Sequence, residues 1–182
     1  VFDKATRVTR GSQSSEFVYG IAHRRVMRRD ANDTDGQRDV VYVGGVEFVD
    51  DGSETRFKRH LAGVAEVTGY PASDHVETQY IVRDHLGSVH SVTDEDGLAS
   101  EAVLMHFDAF GQRVAADWRS LPGPSAVSAL NRVTNRGFTG HEHVDAMGLV
   151  HMNGRVYDPR LGRFLQADPM VSCVTDSESV TR

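Results

Sequence analysis

Short runs of alternating apolar and polar residues, each ended by a turn signal, fill most of this chain. Thr6 to Val8 predicts a first short strand, and Gly11-Ser12-Gln13-Ser14-Ser15 predicts a turn. From Glu16 to Ala22, Phe17, Tyr19 and Ile21 share one face and Val18 the other, the period of two expected of a strand. Ala31 to Arg38 is a polar turn with Asp33-Thr34-Asp35-Gly36 at its tip. Asp39 to Val49 is rich in Val and aromatic residues and predicts a strand, with Gly44-Gly45 as a bulge or bend. Asp50-Asp51-Gly52-Ser53 then predicts a hairpin turn, and Glu54 to Ala65 the returning strand. Gly69 and Pro71 mark a loop through Asp74.

From Tyr80 the rhythm becomes a repeat. The tetrad D-x-x-G occurs at Asp84–Gly87, Asp94–Gly97, Asp108–Gly111 and Asp145–Gly148, with an earlier copy at Asp33–Gly36. An Asp can bond its own downstream backbone, and a Gly at the exit accepts positive φ, so each tetrad is a turn between strands. Repeated strand–turn units cannot bury their faces alone and must pack on neighbours. Asp117 to Arg136 breaks the rhythm. Leu121-Pro122-Gly123-Pro124 is a rigid turn, and Ser125 to Val133 reads either as a loop or as a short helix. In the helical reading Ser125 is the N-cap and Val127, Leu130 and Val133 form the apolar stripe.

Gly137 to Pro169 carries the densest turn chemistry. Asp145-Ala146-Met147-Gly148 closes a hairpin; Leu149, His151 and Asn153 alternate with Val150, Met152 and Gly154, and the run continues through Val156-Tyr157. Asp158-Pro159-Arg160-Leu161-Gly162 is a second turn, Arg163 to Gln166 a short strand, and Asp168-Pro169 its end. The fold class read from these patterns is all-β, built of antiparallel strand–turn repeats. The segments are 1–79, a degenerate β-repeat region; 80–116, explicit repeats; 117–136, loop or helix; 137–169, the turn-rich motif; and 170–182, a C-terminal remainder.

The run R-x-Y-D-P-x-x-G-R-F-x-x-x-D-P, on Arg155, Tyr157, Asp158, Pro159, Gly162, Arg163, Phe164, Asp168 and Pro169, resembles the closing motif of the RHS-repeat-associated core of bacterial Rhs and Tc-toxin C proteins. The likeness covers Phe138 to Pro169, and Tyr80 to Val114 resembles the preceding YD repeats; Val41 to Gly45 carries a weaker likeness. It implies a section of a large β-sheet that spirals into a shell around a C-terminal toxin or effector. The implied partners are the rest of that shell, the enclosed effector, and secretion-apparatus or toxin partner proteins. The implied location is secreted or cell-surface. In this family an aspartyl peptidase at the end of the shell cuts its own chain, and its motif Arg and Asp fall on Arg155 and Asp168. A carboxylate can hold and deprotonate a water that a neighbouring Arg helps to orient, but aspartic chemistry needs a second carboxyl as acid. In the family that partner lies in a following segment with N-R-Y-x-Y and D-P-x-G patterns, which does not occur before Arg182. The pair is therefore expected to pin strand order here, and to cut only with that segment present. Asp158, Pro159, Gly162, Arg163 and Pro169 are expected to serve the turn, Asp158 and Arg163 adding a surface ion pair. YD repeats also occur in cell-surface proteins such as teneurins, so an adhesion module is a further alternative.

Composition narrows these readings. Hydrophobic residues make up 39% and there are 17 Gly, which suits a sheet wet on one face. The net charge of −6, with 20 basic residues spread along the chain, argues against a nucleic-acid partner. Arg24, Arg25, Arg28 and Arg29 form one basic cluster, read as a solvated strand face. The single cysteine, Cys173, excludes an intrachain disulfide. No apolar run reaches the ~20 residues of a membrane-spanning helix, and the start Val1-Phe2-Asp3 reads as internal to a longer chain. Nine histidines include His141, His143 and His151, but no spacing that makes a metal set, and neither a metal nor a cofactor is expected. The Asp-rich turns lack a complete calcium loop. Trp118, Phe107 and Phe110 read as core.

Overall fold

The computed structural model describes residues 4–32, 36–96 and 103–168. Ten strands form one sheet: β1 (Arg7–Arg10), β2 (Gln13–Tyr19), β3 (Arg25–Asn32), β4 (Gly36–Val43), β5 (Val46–Asp50), β6 (Thr55–Leu61), β7 (Ala65–Tyr70), β8 (His75–Arg83), β9 (Val89–Thr93) and β10 (Val103–Leu104). They lie side by side in sequence order, each antiparallel to the next. This is the expected all-β strand–turn repeat. A two-stranded ribbon follows, β11 (His106–Phe107) with β12 (Arg113–Val114), and then helix α1 (Pro124–Val133). A second sheet pairs β13 (Glu142–Val144), β14 (Leu149–Met152), β15 (Arg155–Asp158) and β16 (Arg163–Phe164), also in order.

Turn chemistry sets the register. Asp84 Oδ1 accepts the N–H groups of Leu86 and Ser88, and Asp108 Oδ1 those of Phe110 and Gln112, so the expected device operates at both tetrads. The Asp33–Gly36 and Asp94–Gly97 copies fall partly outside the described residues. Three predicted long strands are instead hairpins. Gly44 and Gly45, both at positive φ, form a two-residue turn between β4 and β5 and not a bulge. Glu54–Ala65 is broken at Ala62-Gly63, where Val64 N–H reaches Leu61 O. The run from Leu149 to Tyr157 folds back at Asn153-Gly154, with Asn153 at φ 55°. Each break is a two- or three-residue loop that leaves the alternation on both sides intact.

The large sheet has two unlike faces. On one, Phe17, Arg28, Val40, Val49 and Arg56 stand in a row across β2 to β6, and all are buried. The β13–β16 sheet packs there through Phe17, Val144, Met147, Leu149 and Val156. Farther along, Leu130 of α1 closes on Ile81, Val89, Val92 and Met105. The predicted helix therefore forms, with Leu130 and Val133 facing in, but it starts at Pro124. Gly123 holds the cap position, and Pro124, first in the helix, has no N–H to leave unpaired there. On the opposite face Val18, Met27, Val41, Phe48, Phe57, Gly69 and Val76 line up across β2 to β8. Phe57 lies over Gly69, where a Cβ would come within 2.2 Å of the ring. Ile21 leaves the β2 face for a short 3-10 turn and is fully exposed. Phe110 and Trp118 are also exposed, not core.

Candidate functional site

The motif residues converge at the end of the second sheet. β15 and β16 place Tyr157 opposite Phe164 and Asp158 opposite Arg163. Arg155 Nη1 lies 3.0 Å from Asp168 Oδ2, and its guanidinium sits 3.6 Å from the centre of the Phe164 ring. The expected pair is thus formed, with the Arg155 side chain 25% and the Asp168 side chain 51% exposed. Such a pair can orient a water at the surface. Asp158 is buried and serves the turn: its Oδ1 accepts Arg160 N–H at 2.9 Å and its carbonyl accepts Leu161 N–H. Its ion pair is with Arg160, at 3.2 Å, and not the expected one across the turn with Arg163, because the β-turn points the Arg160 side chain back over the carboxylate. Pro159 is buried, Gly162 takes the positive φ of 64°, and Phe110 packs 3.2 Å from where a Gly162 Cβ would sit. Pro169 lies outside the described residues.

A second constellation, centred on Glu142, was not legible in the sequence. Glu142 starts β13 with its side chain 2% exposed, pointing at the large sheet. Its Oε1 pairs with Arg25 Nη2, and its Oε2 accepts from Arg28 Nη1 at 3.3 Å, Tyr42 O–H at 2.9 Å and Asn135 Nδ2 at 3.3 Å. Arg136 Nη2 lies 3.5 Å from Glu142 and 2.8 Å from Glu47. Glu47 meets His60 Nε2 at 2.8 Å, His60 Nδ1 meets Glu66 at 3.0 Å, and Glu66 meets Lys58 Nζ at 2.7 Å. Lys58 finally donates to the carbonyls of Arg132 and Val133 at the end of α1. One chain of charges therefore ties β3 to β7 to the helix end and to β13. The reading of the Arg24–Arg29 cluster as a solvated face is corrected: Arg25 and Arg28 are buried. A strand this close to Glu142 can hold guanidinium groups inside because each one meets a carboxylate.

The charge states follow from this pairing. Burial opposes ionisation of Glu142, but Arg25, Arg28 and Arg136 hold its pKa below the usual carboxylate value. Burial likewise opposes Glu47, and the bonds from His60 and Arg136 bring it down to about 2. His60 works the other way. Burial disfavours its proton, yet Glu47 and Glu66 on both ring nitrogens raise it to about 9. A carboxylate oxygen lies within 3.0 Å of each ring nitrogen, an arrangement that favours the imidazolium. The two buried histidines, His143 and His151, are neutral. His143 Nε2 accepts the Phe138 N–H, and burial followed by Arg113 pushes its pKa well down. His151 bonds Tyr19 O–H through Nε2, and burial followed by Arg25 lowers it to about 3. Among the described residues no group of three or more His, Cys, Asp or Glu side chains could hold a metal, and no helix is long and apolar enough to cross a membrane.

No family model matches the sequence, and no curated protein matches it. The fold does match a chain in the crystal structure of TcdB2-TccC3, with a TM-score of 0.66 and 19% sequence identity. The match takes in 89% of this chain and 8% of that one, so this chain spans under a tenth of its length. At that identity the likeness establishes a shared antiparallel β fold.

Proposed function

We propose that this chain is a wall section of a β-sheet shell that encloses a C-terminal toxin or effector. The observation that carries the reading is the order of the large sheet: ten antiparallel strands laid down one after another, with a charged face on which β13–β16 and α1 are latched by ion pairs. Such a sheet can be extended strand by strand at β1 and at β10, as a spiralling wall requires. The fold likeness to TcdB2-TccC3, a Tc-toxin component, supports a toxin-related shell at that coarse level. On this reading the partners are the remainder of the wall and its cargo, and the complete protein is secreted or displayed at a cell surface. The test is protection of cargo. In the complete gene product, the segment that follows this section should resist added protease under native conditions. Digestion at the rate of the same segment expressed alone would overturn the reading.

A second reading rests on the 3.0 Å contact of Arg155 with Asp168. In it the pair belongs to a self-cleaving aspartyl site, Asp168 activating water and Arg155 orienting the carboxylate, with the acid partner supplied from beyond this section. The intact mass of the complete gene product decides it. Two fragments from the parent and one uncut chain from Asp168→Ala would establish the site; cleavage in both, or in neither, would remove Asp168 from it.

A further inference from the structure

A hollow of about 200 Å³ opens beside the junction of the large sheet and the β11–β12 ribbon. Asp84, His90, His106, Asp108, Trp118 and Phe138 are among the residues that line it. Trp118 is the chain's single tryptophan and is 61% exposed. Its backbone is left-handed, at φ 60°, a conformation costly for a bulky residue. The loop enforces it: Trp118 N–H bonds Ala115 O, Ala115 N–H bonds Ser120 O, and Asp117 accepts from Arg119 N–H, Ser120 N–H and the Ser120 hydroxyl. The indole is thus held out into solvent, resting on the His106 ring at 4.7 Å between centroids. His106 Nδ1 is buried without a hydrogen-bond partner. Asp84 and Asp108 both line it, each with its Oδ1 bonded to the backbone of its own turn, and among the described residues no Lys or Arg lines it.

We propose that this hollow is a docking site for a basic side chain, arginine or lysine, of a partner polypeptide. An exposed indole face attracts a cation through its quadrupole, most strongly for a guanidinium that can also stack. The two aspartates supply the complementary charge. The volume lies below the ~300–1,000 Å³ typical of pockets for whole small molecules, which suits one side chain. The proposal does not rest on the shell reading, since the partner is defined by the chemistry of the hollow alone.

The intrinsic fluorescence of the 182-residue chain reports this site, because Trp118 is its only indole. The chain is titrated with N-acetyl-arginine amide, with N-acetyl-glutamine amide as the uncharged analogue, and with glucose. The expected result is a saturable emission change with the arginine compound only, with half-saturation in the millimolar range. The Asp84→Asn/Asp108→Asn double variant keeps the oxygen that makes each turn and removes the charge. It should bind about three- to tenfold more weakly, the size expected when exposed ion pairs are lost. Circular dichroism verifies that the variant is folded; if it is not, each single variant is titrated in its place. No saturable change, an equal response to the glutamine compound, a response to glucose that matches or exceeds it, or unchanged affinity in the folded variants would each overturn the proposal.

Discussion

Removing the Glu142 carboxylate should be among the most damaging single changes in the chain. Glu142→Ala leaves Arg25, whose side chain is 8% exposed, without a carboxylate, and leaves Arg28, 4% exposed, with Asp30 alone at 2.9 Å. It also strips an acceptor from the Tyr42 hydroxyl and the Asn135 amide, and one of the two carboxylates near Arg136. Breaking a buried, hydrogen-bonded ion pair from one side typically costs ~3–5 kcal/mol, because the remaining charge has lost its partner but cannot regain water. Against a total stability of ~5–15 kcal/mol that is a large share. For a domain of this size it corresponds to a fall in Tm of roughly 6–20 °C. Glu142→Gln keeps an oxygen for Tyr42 and should fall between. The assay is urea and thermal unfolding, with Arg29→Ala as the reference, since Arg29 pairs with Asp39 at the surface and should cost at most ~1 kcal/mol. If Glu142→Ala lies within ~1 kcal/mol of the parent, the charge chain does not hold the two sheets together and the reasoning fails.

Three other outcomes are expected. His60 is raised from its ordinary 6.5 to about 9, so its contribution is complete below pH 6.5 and fades as pH rises through about 9; urea midpoints measured from pH 6 to 10 should fall over that window, and His60→Gln should flatten the fall. Gly111→Ala combines a φ of 88° with a Cβ only 2.3 Å from the Phe138 ring, so it should cost ~1–3 kcal/mol in urea unfolding, unlike Gly123→Ala, which meets open space at negative φ. Asp168→Asn removes a half-exposed ion pair and should change stability by less than ~1 kcal/mol, so any loss of self-cleavage in that variant would be chemical and not structural.

The alternation of apolar residues and the D-x-x-G turns made the all-β repeat and most strand positions legible. The local parts of the C-terminal motif were legible too: the turn at Asp158 depends on neighbours within a few residues, and the pair Arg155–Asp168 came from the resemblance to the RHS-associated core motif. The charge chain was not legible, because its members come from Arg25 to Glu142, and only the closure of one sheet on the other brings them together. Seen in sequence, Arg25 and Arg28 look like any basic strand face. A signal was present only at Glu47, two residues from Val49 on the same strand face; Lys58, between Arg56 and His60, carried none. The tight hairpins at Gly44-Gly45 and Asn153-Gly154 carried the usual glycine signals, but the apolar alternation on both sides masked the reversal.

The central claim is that this chain is one section of a continuous wall. A cryo-microscopy map of the complete gene product tests it most directly. The account predicts further strands paired onto both β1 and β10 and a closed lumen bounded by that wall. A map in which the ten-stranded sheet ends at solvent on both edges, with no enclosed space, would contradict it.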